Sequence, residues 1–313
     1  MKFLRYFEYA FAMPKRLKKV YDKLNAQDKN FNSFNILFSA QMVAHMDNPN
    51  VLLELSKAFI SPKILHNTEN ALKYFSLIRP LRHSSFQFVR VGGQADGGYC
   101  LLCPPPVKGN SLPKCVSLGV SDYSPFDLEM ADMGYEVLEY DASIESSPYP
   151  NHPNIKFFKK FVGAVESHDT TTLMQIINEN KFDKNAHNIL QCDIEDAEWE
   201  LLENIDISLL AKYFPQILFE FHNCNPDNEV FTQRRLAVLA KLNEYYCPIH
   251  THFNHNGGLL FAKNLLFSPL IEISYLRKDL IPNDAQPLRG SATLVGLDYP
   301  NIPHYPDIPV VFK

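Results

Sequence analysis

Three short runs hold the groups that could move a proton or hold a cation: Asp193-Ile194-Glu195, Glu220-Phe221-His222 and His250-Thr251-His252-Phe253-Asn254. Each run ends or occupies an apolar stretch that reads as a strand: Asn188–Asp193, Gln216–His222 and Ile249–Phe253. Side chains alternate along a strand, so Glu220 shares a face with His222, and His250, His252 and Asn254 share another. Carboxylates and imidazoles converging from separate strands suit two tasks. One is general-base removal of a proton from a nucleophile, for which histidine is the commonest choice. The other is a divalent metal held by mixed His and carboxylate ligands. The chain has no His-Glu-x-x-His and no Gly-x-Ser-x-Gly, which argues against zincin and serine-hydrolase chemistry.

The elements that must position these groups begin with Val116–Asp141. An apolar strand ends at Gly119, which suits a sharp turn into a loop. A helix start follows, with Ser124 as N-cap, Pro125 at the first helical position and Asp127 in the first turn. Gly134 stands where a helix end favours a left-handed residue. A second strand, Tyr135–Tyr140, delivers Asp141 about twenty residues after the glycine, the spacing at which a βαβ unit sets a carboxylate on a ribose. The full Gly-x-Gly-x-x-Gly fingerprint is missing. Upstream, Phe86–Val91 and Tyr99–Cys103 read as a hairpin around Gly92-Gly93-Gln94-Ala95-Asp96-Gly97-Gly98, leaning over the site with Asp96 as a polar contact.

Strands and helices then alternate: Ile155–Phe161, a helix Thr171–Glu179 with Thr170 as cap, a helix start at Ile194–Leu202, an amphipathic helix Asn228–Glu244 using Val230, and a strand Leu270–Leu276. The prolines after Asp141 leave its following helix short or missing. This alternation implies an α/β fold with a parallel sheet covered on both faces. Residues 1–82 read as a helical extension and 83–280 as the α/β domain; 281–313 form a proline-rich tail laid across its surface. Helices are expected at Phe3–Met13, Pro14–Leu24, Phe34–Met46 and Val51–Phe59, with Lys15, Arg16, Lys18 and Lys19 on a solvated face and a homo-oligomer formed through this region.

A net charge of −5 in 313 residues argues against broad nucleic-acid binding. No apolar run approaches the roughly 20 residues of a membrane span. Six scattered cysteines make no disulfide framework, and Cys100-x-x-Cys103 lacks a second pair for zinc. These features point to a reducing, cytoplasmic compartment.

The ordered set Gly93…Asp96-Gly97-Gly98-Tyr99, Ser117-Leu118-Gly119-Val120…Phe126-Asp127, Tyr140-Asp141, Asp193-Ile194-Glu195-x-Ala197-Glu198-Trp199, Glu220-Phe221-His222 and His250-x-His252-x-Asn254 resembles FkbM-like class I methyltransferases. The resemblance spans roughly residues 86–276. It implies S-adenosylmethionine as cofactor and a Rossmann-like, seven-stranded, mostly parallel sheet with one antiparallel edge strand. It places the cofactor's amino-acid end by Ser117, Gly119, Val120, Ser121 and Asp122, its ribose on Asp141 beside Ala142, and its reactive end near Asp193. The methyl acceptor falls among Asp96, Asp193, Glu195, Glu220 and Asn254. Two departures stand out. Gly119 is the lone glycine of the first loop, and the family's Asp-x-Glu-Gly becomes Asp193-Ile194-Glu195-Asp196, where Asp tolerates the left-handed backbone better than most residues.

The reading that follows is an adenosylmethionine-dependent O-methyltransferase acting on a small-molecule sugar hydroxyl, nucleotide-linked or part of a surface glycan. His222 or His252 takes the proton. Asp193 and Glu220 orient it, or share with both histidines a divalent cation such as Mg²⁺. The rivals are a nucleotide-dependent oxidoreductase, which the sparse glycines disfavour, and a catalytically silent scaffold, which the strand-end cluster disfavours.

Overall fold

The computed structural model describes residues 41–59, 61–105, 112–303 and 305–313. The helices expected at Phe3–Met13 and Pro14–Leu24, the basic cluster and the start of Phe34–Met46 lie outside the described residues. The first complete described helix, α1 (Pro49–Ser56), is capped by the Asn48 side chain, which accepts from the amides of Asn50 and Val51. Helix α2 (Thr68–Leu77) is capped likewise by Asn67. Both bury apolar side chains, Leu52 and Leu55 from α1 and Tyr74 and Phe75 from α2, in the same core as the sheet.

The hairpin pairs β1 (Phe88–Val91) with β2 (Tyr99–Leu102) in antiparallel register. The main sheet is built from β3 (Lys114–Leu118), β4 (Glu136–Tyr140), β5 (Ile155–Phe158), β6 (Ile189–Cys192), β7 (Gln216–Phe221), β8 (Tyr246–Phe253) and β9 (Ile271–Arg277). Their spatial order is β8-β9-β7-β6-β3-β4-β5. Neighbours from β5 across to β7 are parallel, whereas β9 runs antiparallel to both β7 and β8. The sheet is therefore mixed rather than mostly parallel, and its reversed strand lies one place in from the edge. The reason is connectivity: β8 follows helix α7 (Glu229–Leu242) and β9 then returns between β8 and β7.

Alternation along the strands sorts two cores. Cys115, Val137, Ile189 and Leu218 face the hairpin and helix α3 (Pro125–Asp132). Val116, Leu138, Leu190 and Phe219 face the larger cluster, which takes in α4 (Leu173–Glu179), α5 (Glu198–Asn204), α6 (Ile207–Tyr213) and α7. No helix interrupts the segment between Asp141 and β5, as its prolines suggested.

Several local expectations need correction. Ser124 sits at the N-cap of α3 but makes no capping bond; its hydroxyl donates instead to Asp127 at 2.7 Å. Helix α4 starts later than expected, with Thr172 and Gln175 forming a capping box in place of a Thr170 cap. Helix α5 begins only at Glu198. Val230 is 79% exposed, because α7 turns it to solvent. The tail is not simply laid over the surface: Asp298, Asn301, Asp307, Ile308 and Val310 are buried, and Gly290–Ser291 pairs with Val311–Phe312. Its polar residues answer histidines and carboxylates of the sheet, an interaction that proline content cannot announce.

Gly119 leaves β3 at φ +80°, and a Cβ there would lie 1.6 Å from the Asp193 carbonyl oxygen. The two loops touch backbone to backbone at this point. Gly119→Ala should lower unfolding free energy by about 3 kcal/mol or more, since both the backbone angle and the contact are strained. The urea midpoint measures it.

Candidate active site

A cleft of about 590 Å³ opens beyond the carboxyl ends of β3, β4 and β6, where open α/β sheets bind ligands. Gly119, Val120, Ser121, Asp122, Asp141, Asp193 and Glu195 line it, and Tyr140, Ile144, Phe161, Val162, Ile194 and Ala197 give it an apolar wall. Asp141 is nearly buried. One of its carboxylate oxygens accepts from the Val120 amide at 2.9 Å, and the other from the amide and hydroxyl of Ser143 at 2.7 and 2.6 Å. The carboxylate is thereby fixed between two loops, with lone pairs left for further donors. Ser117 is elsewhere: it is buried under α3 and donates to Gln191 at 3.0 Å. Ala142 is not among the lining residues either.

The chain leaves β6 through a left-handed pair, Glu195 at φ 55° and Asp196 at φ 83°. Asp196 thus holds the left-handed turn, and its side chain binds Arg235 at 2.9 Å. This turn sets the start of α5 so that Glu198, with no exposed surface, lies under His222. One Glu198 oxygen accepts from the His222 amide at 2.6 Å and stands 3.2 Å from Nδ1. Trp199 Nε1 donates to the His222 carbonyl at 2.9 Å. The imidazole is therefore anchored on one side, and a carboxylate at Nδ1 selects the tautomer with the proton there.

Nε2 of His222 points at a corner of carboxylates, 3.3 Å from Glu195, 3.7 Å from Asp193 and 4.0 Å from Glu220. Burial lowers the pKa of His222, but Glu198, Asp193 and Glu195 outweigh it and leave the value above 6.5. Desolvation, helped by Glu195 and Asp96 against the opposing pull of His222, raises Asp193 to about 7. Burial and the neighbouring Asp193 and Glu272 push Glu220 well above its ordinary range.

Behind this corner, Glu220, Glu272 and His252 form one row across β7, β9 and β8 in direct register. The Asn254 amide nitrogen lies 3.1 Å from Asp96, 3.0 Å from Glu220 and 3.1 Å from Glu272. Asn301 of the tail donates to Asp96 at 3.0 Å and to Glu272 at 2.5 Å. The hairpin loop meets this row through Asp96.

The two histidines of β8 are placed differently from His222. His252 has both ring nitrogens engaged, Nδ1 with Glu272 at 3.0 Å and Nε2 with Asp307 at 2.8 Å, all three side chains buried. Burial opposes its charge, yet those two carboxylates hold its pKa well above 6.5. His250 binds Asp298 at 3.1 Å, beside the buried thiol of Cys100. So the structure brings Asp193, Glu195, Glu220 and His222 together, with Asp96 and Asn254 adjoining, and separates His252 from them.

Sequence reasoning missed the parts played by Glu198, Glu272, Asn301 and Asp307. Glu198 stood in the quoted run Ala197-Glu198-Trp199, and Glu272 was the single acid inside an apolar strand, itself a signal. Nothing local marks Asn301 or Asp307.

Compared with known proteins, the chain is 29% identical over 132 residues to a Homo sapiens protein named "Probable methyltransferase-like protein 24", covering 39% of this chain and 36% of that one. It is 30% identical over 170 residues to the Rattus norvegicus protein of the same name, covering 49% and 46%. The chain spans less than half the length of these curated relatives. No family model matches it.

Proposed function

Starting from that similarity to methyltransferase-like proteins, we propose that the chain is an S-adenosylmethionine-dependent O-methyltransferase of the FkbM-like kind, acting on a sugar hydroxyl with His222 as general base. The relatives' names support a methyltransferase, and the class in general uses adenosylmethionine. The mixed seven-stranded α/β sheet fits a class I fold.

The observation that carries the proposal is the continuity of two sites. Asp193 and Glu195 line the Asp141 cleft and also face the free nitrogen of the His222–Glu198 dyad. When bound, the cofactor supplies a methyl group on a positively charged sulfur. Asp141 offers acceptors to the ribose hydroxyls, and the Gly119–Asp122 turn lets backbone approach the amino-acid end. His222 Nε2 would take the proton of the acceptor hydroxyl, and the methyl group that the hydroxyl oxygen receives would come from the bound cofactor. Glu198 keeps Nδ1 protonated and stabilises the imidazolium that results. Holding both reactants in line supplies much of the rate. The division at residues 82 and 280 belongs to the same proposal, with the tail closing the far wall of the acceptor chamber.

A divalent cation is a second reading with one observation in its favour. Single ligand atoms of Asp193, Glu195 and His222 lie within 4.8 Å of one another. A cation there would acidify an oxygen directly and make His222 a ligand instead of a base. His252, committed at both nitrogens, offers it nothing.

A melting scan with adenosylmethionine, S-adenosylhomocysteine and NAD tests the reading. At 100 times its dissociation constant a bound ligand should add roughly 2.7 kcal/mol. Stabilisation by NAD alone would overturn the proposal in favour of an oxidoreductase, and no response to any of the three would favour a binding protein. Repeating the scan with chelator and with Mg²⁺ separates base from metal.

A further inference from the structure

Beneath the turn that enters the cleft, two acids meet with no base between them. Asp127 lies in the first turn of α3 and Glu139 on β4, and both side chains are fully buried. Ser124 donates to one Asp127 oxygen at 2.7 Å. The other Asp127 oxygen and both oxygens of Glu139 are sealed from water without a hydrogen-bond partner. The two carboxyls stand within hydrogen-bonding reach of each other. Three buried acceptors in one place are costly unless a hydrogen lies among them.

The surroundings supply no cation. Ser117 of β3 and Phe157 of β5 flank Glu139 in register, and the Ser117 hydroxyl is given to Gln191. Ser147, in the segment after β4, is the other hydroxyl near Glu139. The titratable groups facing the pair are the Cys115 thiol of β3 and the Tyr149 phenol. Burial comes first in keeping both protonated, and the two acids add to it. Among the described residues no Lys, Arg or His bears on either carboxyl. That leaves a proton to neutralise the pair.

We propose that Asp127 and Glu139 share one proton, a carboxylic acid bonded to a carboxylate, and that this bond locks α3 to β4 behind the cleft. A protonated carboxyl brings the one O–H donor that the three oxygens lack, and carboxylates this close cannot both ionise cheaply. Burial, then the charge on Asp127, pushes Glu139 up to about 8, so Glu139 is the holder of the proton. Burial raises Asp127 as well, against the hydroxyls of Ser124 and Ser117. The bond closes a ring of structure around the cleft's first loop. Gly119–Asp122 runs into α3, and two residues beyond Glu139 the Asp141 carboxylate accepts from the Val120 amide. Loss of the proton sets two charges against each other under that loop. A consequence for cofactor binding rests on the methyltransferase reading above; the shared proton does not.

Melting the full chain between about pH 5 and about pH 9, as wild type and as Glu139→Gln, tests the proposal. A carboxyl raised by folding gives stability that is complete below its ordinary value of 4.5 and is lost as pH climbs through about 8. Glutamine keeps a donor for Asp127 and has no proton to lose. The variant should match wild type at the acid end and melt at least about 2 °C higher at the alkaline end. Comparing the two cancels the titrations of His222 and Asp193, which both proteins share. Infrared spectra at neutral pH should show a buried carboxylic-acid carbonyl in wild type that Glu139→Gln removes. S-adenosylhomocysteine should bind more weakly to wild type as pH rises through about 8, with a flatter profile in the variant. Should Glu139→Gln not fold, Asp127→Asn makes the same comparison from the other side. Melting curves that differ equally at every pH, or no acid carbonyl, sink the shared proton. Identical S-adenosylhomocysteine profiles sink its hold on the cleft. Failure of that ligand to bind at any pH sinks the cofactor reading, while melting and infrared still decide the proton.

Discussion

His222→Ala should cut turnover by roughly 10²–10⁴-fold, the usual contribution of a positioned general base, while S-adenosylhomocysteine binds nearly as before. The split follows from geometry. His222 lies at the end of β7, whereas the cleft is walled by the loops after β3, β4 and β6. Parallel loss of cofactor binding would assign His222 a structural role instead. The pH profile gives a finer test. The base must be neutral to act, and Glu198 together with Asp193 and Glu195 holds the folded pKa above 6.5. The rate should therefore climb as pH rises through that elevated value. Glu198→Gln keeps an acceptor for Nδ1–H but removes the nearest negative charge, so the same limb should move to lower pH with a smaller loss of rate than His222→Ala. A limb that stays put would show that Glu198 does not act through His222.

His252→Ala should do the opposite: unfold the protein more readily before it touches the chemistry. It removes the imidazole that Glu272 and Asp307 share in the interior, and breaking a buried pair in this way costs roughly 3–5 kcal/mol. The sign of the pH dependence is fixed by the two partners. The raised pKa of His252 gives stability that is complete below 6.5 and is lost as pH climbs through the folded value. Glu272 is pushed up by burial but held below 4.5 mainly by His252, so its share is complete above 4.5 and is lost as pH falls through the lowered value. The gap in urea-unfolding free energy between wild type and variant should be widest between pH 4.5 and 6.5. A gap under 1 kcal/mol in that window would remove His252 from the fold's supports and return it to the candidates for catalysis.

These two histidines mark what the sequence could and could not reveal. Both looked alike, an imidazole near a strand end with carboxylates in the neighbourhood. What separates them is the identity of their partners. Glu198 lies 24 residues before His222, within a run that was already in view. Asp307 is 55 residues beyond His252, in a segment whose prolines speak only of extended backbone. Gly119 and Asp141 were legible because their signals are local: a turn that excludes a side chain, and an acid at a fixed distance along a βαβ unit. The hairpin Gly92–Gly98 was legible for the same reason. The place of β9 inside the sheet was not, since strand order depends on which edge a returning chain finds open. Ser117 falls outside the cleft lining because strand alternation turns it under α3, two residues short of the loop that begins at Gly119. Asp196 was readable only in part: its tolerance of a left-handed angle could be anticipated, its bond to Arg235 could not.

Asn254 carries a last consequence. Its amide nitrogen has two hydrogens, yet carboxylates from three segments stand within 3.1 Å of it, while its oxygen is held by the Asn256 amide at 2.8 Å. The amide cannot turn, and it cannot satisfy all three acceptors at once. Two of the claimants, Glu220 and Glu272, are fixed in central strands; the third, Asp96, rides on the exposed tip of a glycine hairpin. Asn254 can therefore answer at most two of the three, and Asp96 has the side-chain amides of Asn256 and Asn301 besides. Parting the Asp96 tip from the sheet would cost these side-chain amide contacts, whereas the strands below are joined by backbone ladders.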